Sequence, residues 1–199
     1  VDAKGLERTP MSGPLLAGGN HTRLWEGPLI LATLPRQPLS ALAKAEYKGT
    51  LIGRFVLEPI DVIYVNRGEV DRTALKEMIR RLKAGYAIGI APEGTRSKDS
   101  KMTQGKEGTA YLALQTNAQV LPLAIWGHEN FPASLKSLQR CPVHIRVGYP
   151  ITLQNDPALT RQQNIERGTE LIMTTIARML PPEYRGYYAD KVLGPPVWE

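Results

Sequence analysis

The stretch "EVDRTALKEMIRRLKAGYAIGIAPEGTRS", residues 69–97, decides the fold. In its first part, residues 69–84, Val70, Leu75, Met78, Ile79 and Leu82 fall on one face at the helical period. Gly85 supplies a stop signal, because glycine closes a helix without a Cβ penalty. "YAIGIAPEG" (86–94) then reads as a buried strand running into a Pro-Glu-Gly turn. A helix feeding a buried strand is the repeating unit of α/β architecture.

The same alternation extends in both directions. "PLLAGG" (14–19) is a short buried strand, "WEGPLILATL" (25–34) a helix with Pro28 tolerated in its first turn, and "LSALAKA" (39–45) a strand. "DVIYVNR" (61–67) is a further short strand ending at Arg67-Gly68. "GTAYLALQT" (108–116) reads as helix and "VLPLAIWG" (120–127) as strand. "VHIRVGYPI" (143–151) alternates like a strand with one solvated face. Residues 158–180 form the last helix, with Ile165, Ile172, Ile176 and Met179 as its buried stripe. The tail "GPPVWE" favours neither helix nor strand. The expectation is one α/β domain over residues 1–199, with a mixed, mostly parallel central sheet flanked by helices.

At 199 residues the chain is long enough for one sizeable core. Its formal charge of +6 favours anionic partners without choosing among them. The basic residues are scattered, and aromatic content of 7% disfavours a base-stacking platform, so nucleic acid is not the expected partner. Cys141 is the only cysteine, which excludes a disulfide framework and a zinc site built on several cysteines. Residues 108–127 lack charge but are interrupted by Gln115, Thr116, Asn117, Gln119 and Pro122, so no transmembrane helix is expected there. The chain begins with Val1, and a targeting or anchoring segment upstream is an open expectation.

The polar clusters follow predicted strands, where ligands of α/β sheets bind. "GGNHTRLWEGPL" (18–29) places Glu26 five residues after His21. A carboxylate on one ring nitrogen fixes the tautomer, and the other nitrogen can then take a proton from a hydroxyl. By itself the pair reads more readily as a capping or satisfied loop histidine than as a catalytic dyad. "APEGTRS" (91–97) ends a strand in Glu93 and Gly94, with Thr95, Arg96 and Ser97 beyond. Glycine lets backbone N–H groups approach an anion, and Arg96 can grip a phosphate through two bonds. A simple turn with a solvated arginine is the alternative. Arg67 follows another strand, and Lys98, Lys101 and Lys106 add positive charge, either to a phosphate pocket or to a soluble surface.

"NHTRLWE", "IDVIYVNRG", "APEGTRS" and "VLPLAI" occur in the order and spacing of the four motifs of the glycerophospholipid acyltransferases. The chain resembles that family, which includes the 1-acylglycerol-3-phosphate acyltransferases, from about Gly5 to Ile151. The segments "GLERTPMSGPLL" before the first motif, "ALAKAEYKGTLIGRFV" between the first and second, and "QGKEGTAYLAL" between the third and fourth also resemble it.

The resemblance implies an acyltransferase with a His-Glu dyad. His21 would be the base that deprotonates the acceptor hydroxyl, with Glu26 as its partner and Asn20 in support. Arg67 would hold the acceptor's phosphate. Glu93, Gly94, Thr95 and Arg96 would form the third-motif wall of that site, supported by Ser97 and Lys106. Pro122 would shape the fourth motif beside the groove. The acyl donor would be acyl-coenzyme A or acyl carrier protein, and the acceptor a lysophosphatidate-like lysophospholipid. No metal or prosthetic group is implied. The site would work at the cytoplasmic face of the membrane, peripherally or through an anchor outside this chain.

Two positions depart from the family pattern. The first motif normally ends in Asp, and Glu26 stands there, one methylene longer. The second motif usually has Gly where Asp61 appears and often Phe near Tyr64. Asp61 either alters acceptor fit or marks the strand's entrance. "YKGTLIGRFVLEP" (47–59) mixes Tyr47, Leu51, Ile52, Phe55, Val56 and Leu57 with Lys48 and Arg54. It reads as an interfacial amphipathic helix or as a core-facing helix with a solvated basic side. Three rival functions remain: a non-catalytic lipid- or phosphate-binding relative, a lysophospholipid-remodelling acyltransferase, and a thioester hydrolase.

Overall fold

The computed structural model describes residues 1–22, 26–51, 53–66, 71–97, 99–129 and 141–197. Seven strands form one sheet: β1 (Asp2–Lys4), β2 (Leu15–Gly19), β3 (Leu39–Lys44), β4 (Ile63–Val65), β5 (Ala87–Ile90), β6 (Gln119–Trp126) and β7 (His144–Val147). Their spatial order is β1-β7-β6-β2-β5-β3-β4. Every neighbouring pair is parallel except β6 with β7. The main helices are α1 (Glu26–Thr33), α2 (Arg72–Lys83), α3 (Gly108–Thr116) and α4 (Arg161–Met179). The mixed, mostly parallel α/β sheet is as expected.

The central strands bury side chains on both faces, and successive residues divide between two cores. Leu16, Ile88, Val120 and Ala124 join Met78 and Leu82 of α2 and Ile172 and Ile176 of α4. Leu15, Ala17, Ala87, Leu121, Leu123 and Ile125 form the opposite core, against which Leu29 and Ile30 of α1 pack. This two-sided burial follows from the crossover helices that parallel strands need, and it explains the continuous apolar runs.

Local chemistry sets the helix ends. Asp71 caps α2 by accepting from the N–H groups of Thr73 (3.1 Å) and Ala74 (3.0 Å). Gly85 takes a positive φ of 84° just past its end. Thr160 and Gln163 form a reciprocal capping box on α4. Val70 lies outside the described residues, while Met78 and Leu82 are buried as the helical period requires.

Three regions differ from their sequence reading. The triplet Asp2–Lys4 pairs as β1 along β7, an edge strand with no apolar pattern to announce it. The face of β7 expected to be solvated is covered, and Arg146 is only 5% exposed. Asp2 binds its guanidinium at 2.6 Å and the Trp126 ring lies 5.3 Å beneath it. Residues 45–60 form short turns, including one π-helical turn at Gly53–Leu57, rather than one amphipathic helix. Leu51 and Phe55 are 77% and 71% exposed there, so the core-facing reading does not hold for them. Ile52 lies outside the described residues.

Candidate active site

Because β2, β3, β4 and β5 run parallel, the segments leaving their C-terminal ends gather at one edge of the sheet. Just past β2, Asn20 is buried and its amide pairs in both directions with Ile125 of β6. Nδ2–H donates to the carbonyl of Ile125 and Oδ1 accepts from its N–H, both at 2.9 Å. The side chain thus continues the β2–β6 ladder for one more step while the backbone turns away. That turn delivers His21 to the edge.

His21 Nδ1–H donates to Glu26 Oε2 at 2.8 Å. The opposite ring nitrogen, Nε2, is left for the cavity that His21 lines. Glu26 is 2% exposed and opens α1, where a carboxylate also meets the positive end of the helix dipole. Its second oxygen, Oε1, accepts from the Thr22 N–H (2.7 Å), the Thr22 hydroxyl (2.5 Å) and His128 Nε2–H (2.9 Å). Burial pushes this carboxyl up, but the hydrogen bonds from His128, His21 and Thr22 outweigh it and hold it at about 2. The longer glutamate arm therefore does meet His21.

The third motif holds the histidine by its backbone. Glu93 is fully buried; its Oε1 accepts from the His21 N–H at 2.9 Å, and its Oε2 accepts from the N–H and hydroxyl of Thr103, both at 2.7 Å. Burial raises the Glu93 carboxyl above the ordinary carboxylate range, against the bonds from Thr103 and His21. On the other side, the Ser97 N–H donates to the His21 carbonyl at 2.9 Å. His21 is thus pinned through both backbone groups by residues more than 70 positions away.

These contacts redistribute the expected roles. Glu93 does not line the cavity, and its carboxylate is spent on His21 and Thr103 rather than offered to an acceptor phosphate. Ser97 is buried in a support role, its hydroxyl bound to Asp99 at 2.8 Å. Gly94 and Thr95 do line the cavity. Gly94 has φ 68°, and a Cβ there would sit 2.8 Å from Cδ of Lys106, which also lines the cavity. Arg96 is half-buried and outside the lining set. Pro122 is buried within β6, where its carbonyl accepts from the Gly148 N–H at 2.9 Å, and it does not border the groove. Arg67 and Lys98 lie outside the described residues; β4 brings Val65 and Asn66 to the cavity immediately before Arg67.

Asp61 has φ 51°, the left-handed region, which accounts for glycine at this position in the family pattern. It stands at the entrance of β4, pairs with Arg81 at 3.0 Å and takes no part in the cavity. Of its two readings, the strand entrance is the one found.

The cavity itself is about 570 Å³. His21, Glu26, Gly94, Thr95 and Lys106 line it together with small or apolar residues such as Ala17, Ile30, Ala41, Leu42 and Ile90. A lining that combines polar and cationic groups with apolar side chains suits an amphiphilic ligand. Among the described residues no group of three or more His, Cys, Asp or Glu is arranged to hold a metal ion, and no helix is long and apolar enough to cross a membrane.

Sequence reasoning missed Thr22, Thr103 and His128. Thr22 lies inside the first motif and its hydroxyl could have been noticed. His128 carries no local signal, being a lone histidine after "WG" at the end of a strand.

A model of the Acyltransferase family matches residues 1–126. The 1-acyl-sn-glycerol-3-phosphate acyltransferase of Borreliella burgdorferi is 32% identical over 129 residues, which is 64% of this chain and 51% of that protein. A probable 1-acyl-sn-glycerol-3-phosphate acyltransferase of Mycoplasma pneumoniae is 28% identical over 191 residues, 92% of this chain and 71% of that protein. The crystal structure of the 1-acyl-sn-glycerophosphate (LPA) acyltransferase of Thermotoga maritima shares the fold, with a TM-score of 0.66 at 23% identity over 86% of this chain and 68% of that one. The chain spans about half the length of the Borreliella relative. With the family model matching well over half of its residues, the chain belongs to the Acyltransferase family.

Proposed function

We propose that this chain is the catalytic part of a 1-acylglycerol-3-phosphate O-acyltransferase of phospholipid synthesis. The observation that carries the reading is the His21–Glu26 pair at 2.8 Å, set in the lining of a partly apolar cavity. The names of the relatives support the choice of acceptor.

In the reaction, a lysophosphatidate-like acceptor lies with its hydroxyl on His21 Nε2. As the hydroxyl oxygen attacks the thioester carbonyl carbon, its proton passes to Nε2. The tetrahedral intermediate collapses, the C–S bond breaks, and the departing sulfur takes the proton from His21. The products are the acyl ester and the free thiol, with no acyl-enzyme. Glu26 holds the imidazole in the Nδ1–H tautomer and balances its charge during transfer. Because a thioester is already activated, alignment of the two substrates supplies much of the acceleration. Lys106, Gly94 and Thr95, with Arg67 and Arg96, serve the acceptor phosphate, and the donor is acyl-coenzyme A or acyl carrier protein.

The site works at the cytoplasmic face of a membrane. Leu51 and Phe55 are exposed beside the cations Lys48 and Arg54, a combination suited to an anionic lipid interface.

The test supplies both thioester donors with a panel of lysophospholipids and follows thiol release together with lipid product. Stoichiometric acyl ester, abolished in His21→Ala, is the expected result. Thiol release without ester would replace this reading by hydrolysis, and acceptor binding without turnover would replace it by a binding protein.

A further inference from the structure

We propose that His128 is a positioning residue: by donating from Nε2 to one oxygen of Glu26, it aims the other oxygen at His21. It thereby fixes the tautomer in which His21 can accept a proton. This rests on the reading of His21 as the base.

The argument begins with the carboxylate. A glutamate can rotate about its terminal bond, so a single contact to His21 would leave its orientation loose. Here the two oxygens have separate duties. Oε2 accepts from the His21 ring, while Oε1 accepts from three donors among the described residues, two on Thr22 and one on His128. Thr22 sits one residue from His21 and moves with the same loop. His128 is the only one of the three donors supplied by another element, 102 residues away. It therefore ties the carboxylate to the end of β6.

The placement of His128 is itself well determined. It is 0% exposed and follows β6, whose Ile125 is locked to Asn20 in both directions. Gly127 between them has φ 84°, and a Cβ there would lie 2.2 Å from the Pro142 carbonyl oxygen, so the backbone must take this turn with glycine. The Nδ1 of His128 is buried with no hydrogen-bond partner among the described residues. A buried atom without a partner is tolerated best as a lone pair, which puts the ring proton on Nε2, facing Glu26. The two histidines thus sit on one carboxylate as opposite tautomers, His21 with its proton on Nδ1 and His128 on Nε2. Among the described residues the carboxylate is met by His21, His128 and Thr22, with the Glu93 carboxyl close by.

The same arrangement explains why the first motif ends in Glu rather than Asp. The extra methylene lets the carboxylate reach into the interior to His128 while its outer oxygen still meets His21.

Two measurements test this. In the wild-type protein, nitrogen chemical shifts of labelled histidines report each tautomer without turnover. The expected spectra show Nδ1–H for His21 and Nε2–H for His128, and a proton on Nδ1 of His128 would overturn the proposal. In kinetics, His128→Leu removes the donor and His128→Gln keeps an N–H at nearly the same place. His128→Leu is expected to lower kcat about ten- to a hundredfold with KM changed less than about twofold, and His128→Gln to recover most of that loss. In the Glu26→Gln background the Leu substitution should add little. An unchanged kcat in folded His128→Leu, a change in KM alone, or full additivity with Glu26→Gln would each overturn the role. If His128→Leu does not fold, the wild-type spectra decide. Should the wild type transfer no acyl group at all, the acyltransferase reading fails separately, and the tautomers still decide whether His128 orients this carboxylate.

Discussion

Glu26→Gln keeps the shape of the side chain and removes its charge, and the surrounding donors dictate how the amide must settle. Three N–H or O–H groups point at Oε1, from Thr22 twice and His128 once. The amide carbonyl must take that side, because an NH2 group there would face three donors. The NH2 is then turned toward His21, where Nδ1 donates to Glu26 in the wild type. Two donors cannot share that contact, so the imidazole moves its proton to Nε2 and Nδ1 becomes the acceptor. The nitrogen facing the cavity then already carries a proton and cannot take another from the acceptor hydroxyl. Tautomer inversion of this kind costs about 10⁴-fold in kcat, or about 5 kcal/mol in barrier height. KM for the lysophospholipid should change little, because the amide fills the same volume as the carboxylate in the cavity lining. Steady-state acyl transfer followed by thiol release is the assay, with the histidine nitrogen shifts as a check on the tautomer. A Glu26→Gln enzyme within about tenfold of wild-type kcat would refute the reasoning. So would a wild-type tautomer at His21 in the variant.

Stability in acid should depend on the same residue. The Glu26 carboxyl is held at about 2 against an ordinary value of 4.5, so its ionised form stabilises the fold above the ordinary value. That contribution, on the order of 3 kcal/mol, is lost as pH falls from about 4.5 toward 2. Urea midpoints should fall more steeply over this range in the wild type than in Glu26→Gln, and parallel curves would contradict the assignment. Glu93 is shifted the other way by burial and contributes with opposite sign, gaining stability on protonation. Asn20→Ala removes both links to Ile125 and leaves a buried N–H and C=O unpaired. The expected cost is about 2–4 kcal/mol in chemical denaturation, and a loss below about 1 kcal/mol would show that the strand edge does not need this clamp. Replacing Leu51 and Phe55 together by Ser should reduce partitioning onto anionic vesicles at least about tenfold, with little change in turnover of a short, soluble acceptor. Unchanged partitioning would remove this surface from the membrane reading.

The α/β alternation was legible from residues 14–180 because it depends on local signals. The helical period of α2, the left-handed glycine after it and the unbroken apolar strands each act over a few residues. The His21–Glu26 pair was legible for the same reason, since five residues entering a helix can fold back on themselves. The clusters after β2 and β5 were read as following strands, and both lie at the same edge of the sheet. Parallel strands leave no other common end for them.

What only the tertiary structure decided depends on groups far apart in the chain. Glu93 sits in a motif that suggested contact with a phosphate, yet its carboxylate is drawn inward by the His21 N–H and by the N–H and hydroxyl of Thr103. Arg146 sat on a face expected to be solvated until β1, unrecognisable as an alanine between two charged residues, came to lie beside β7. His128 has no meaning in its own neighbourhood and acquires one only because β6 ends under the carboxylate of α1. Periodicity, caps and turns are local energies and can be read from adjacent residues. The destination of a buried charge is set by which strand ends beside it, and that is known only when the sheet has closed over it.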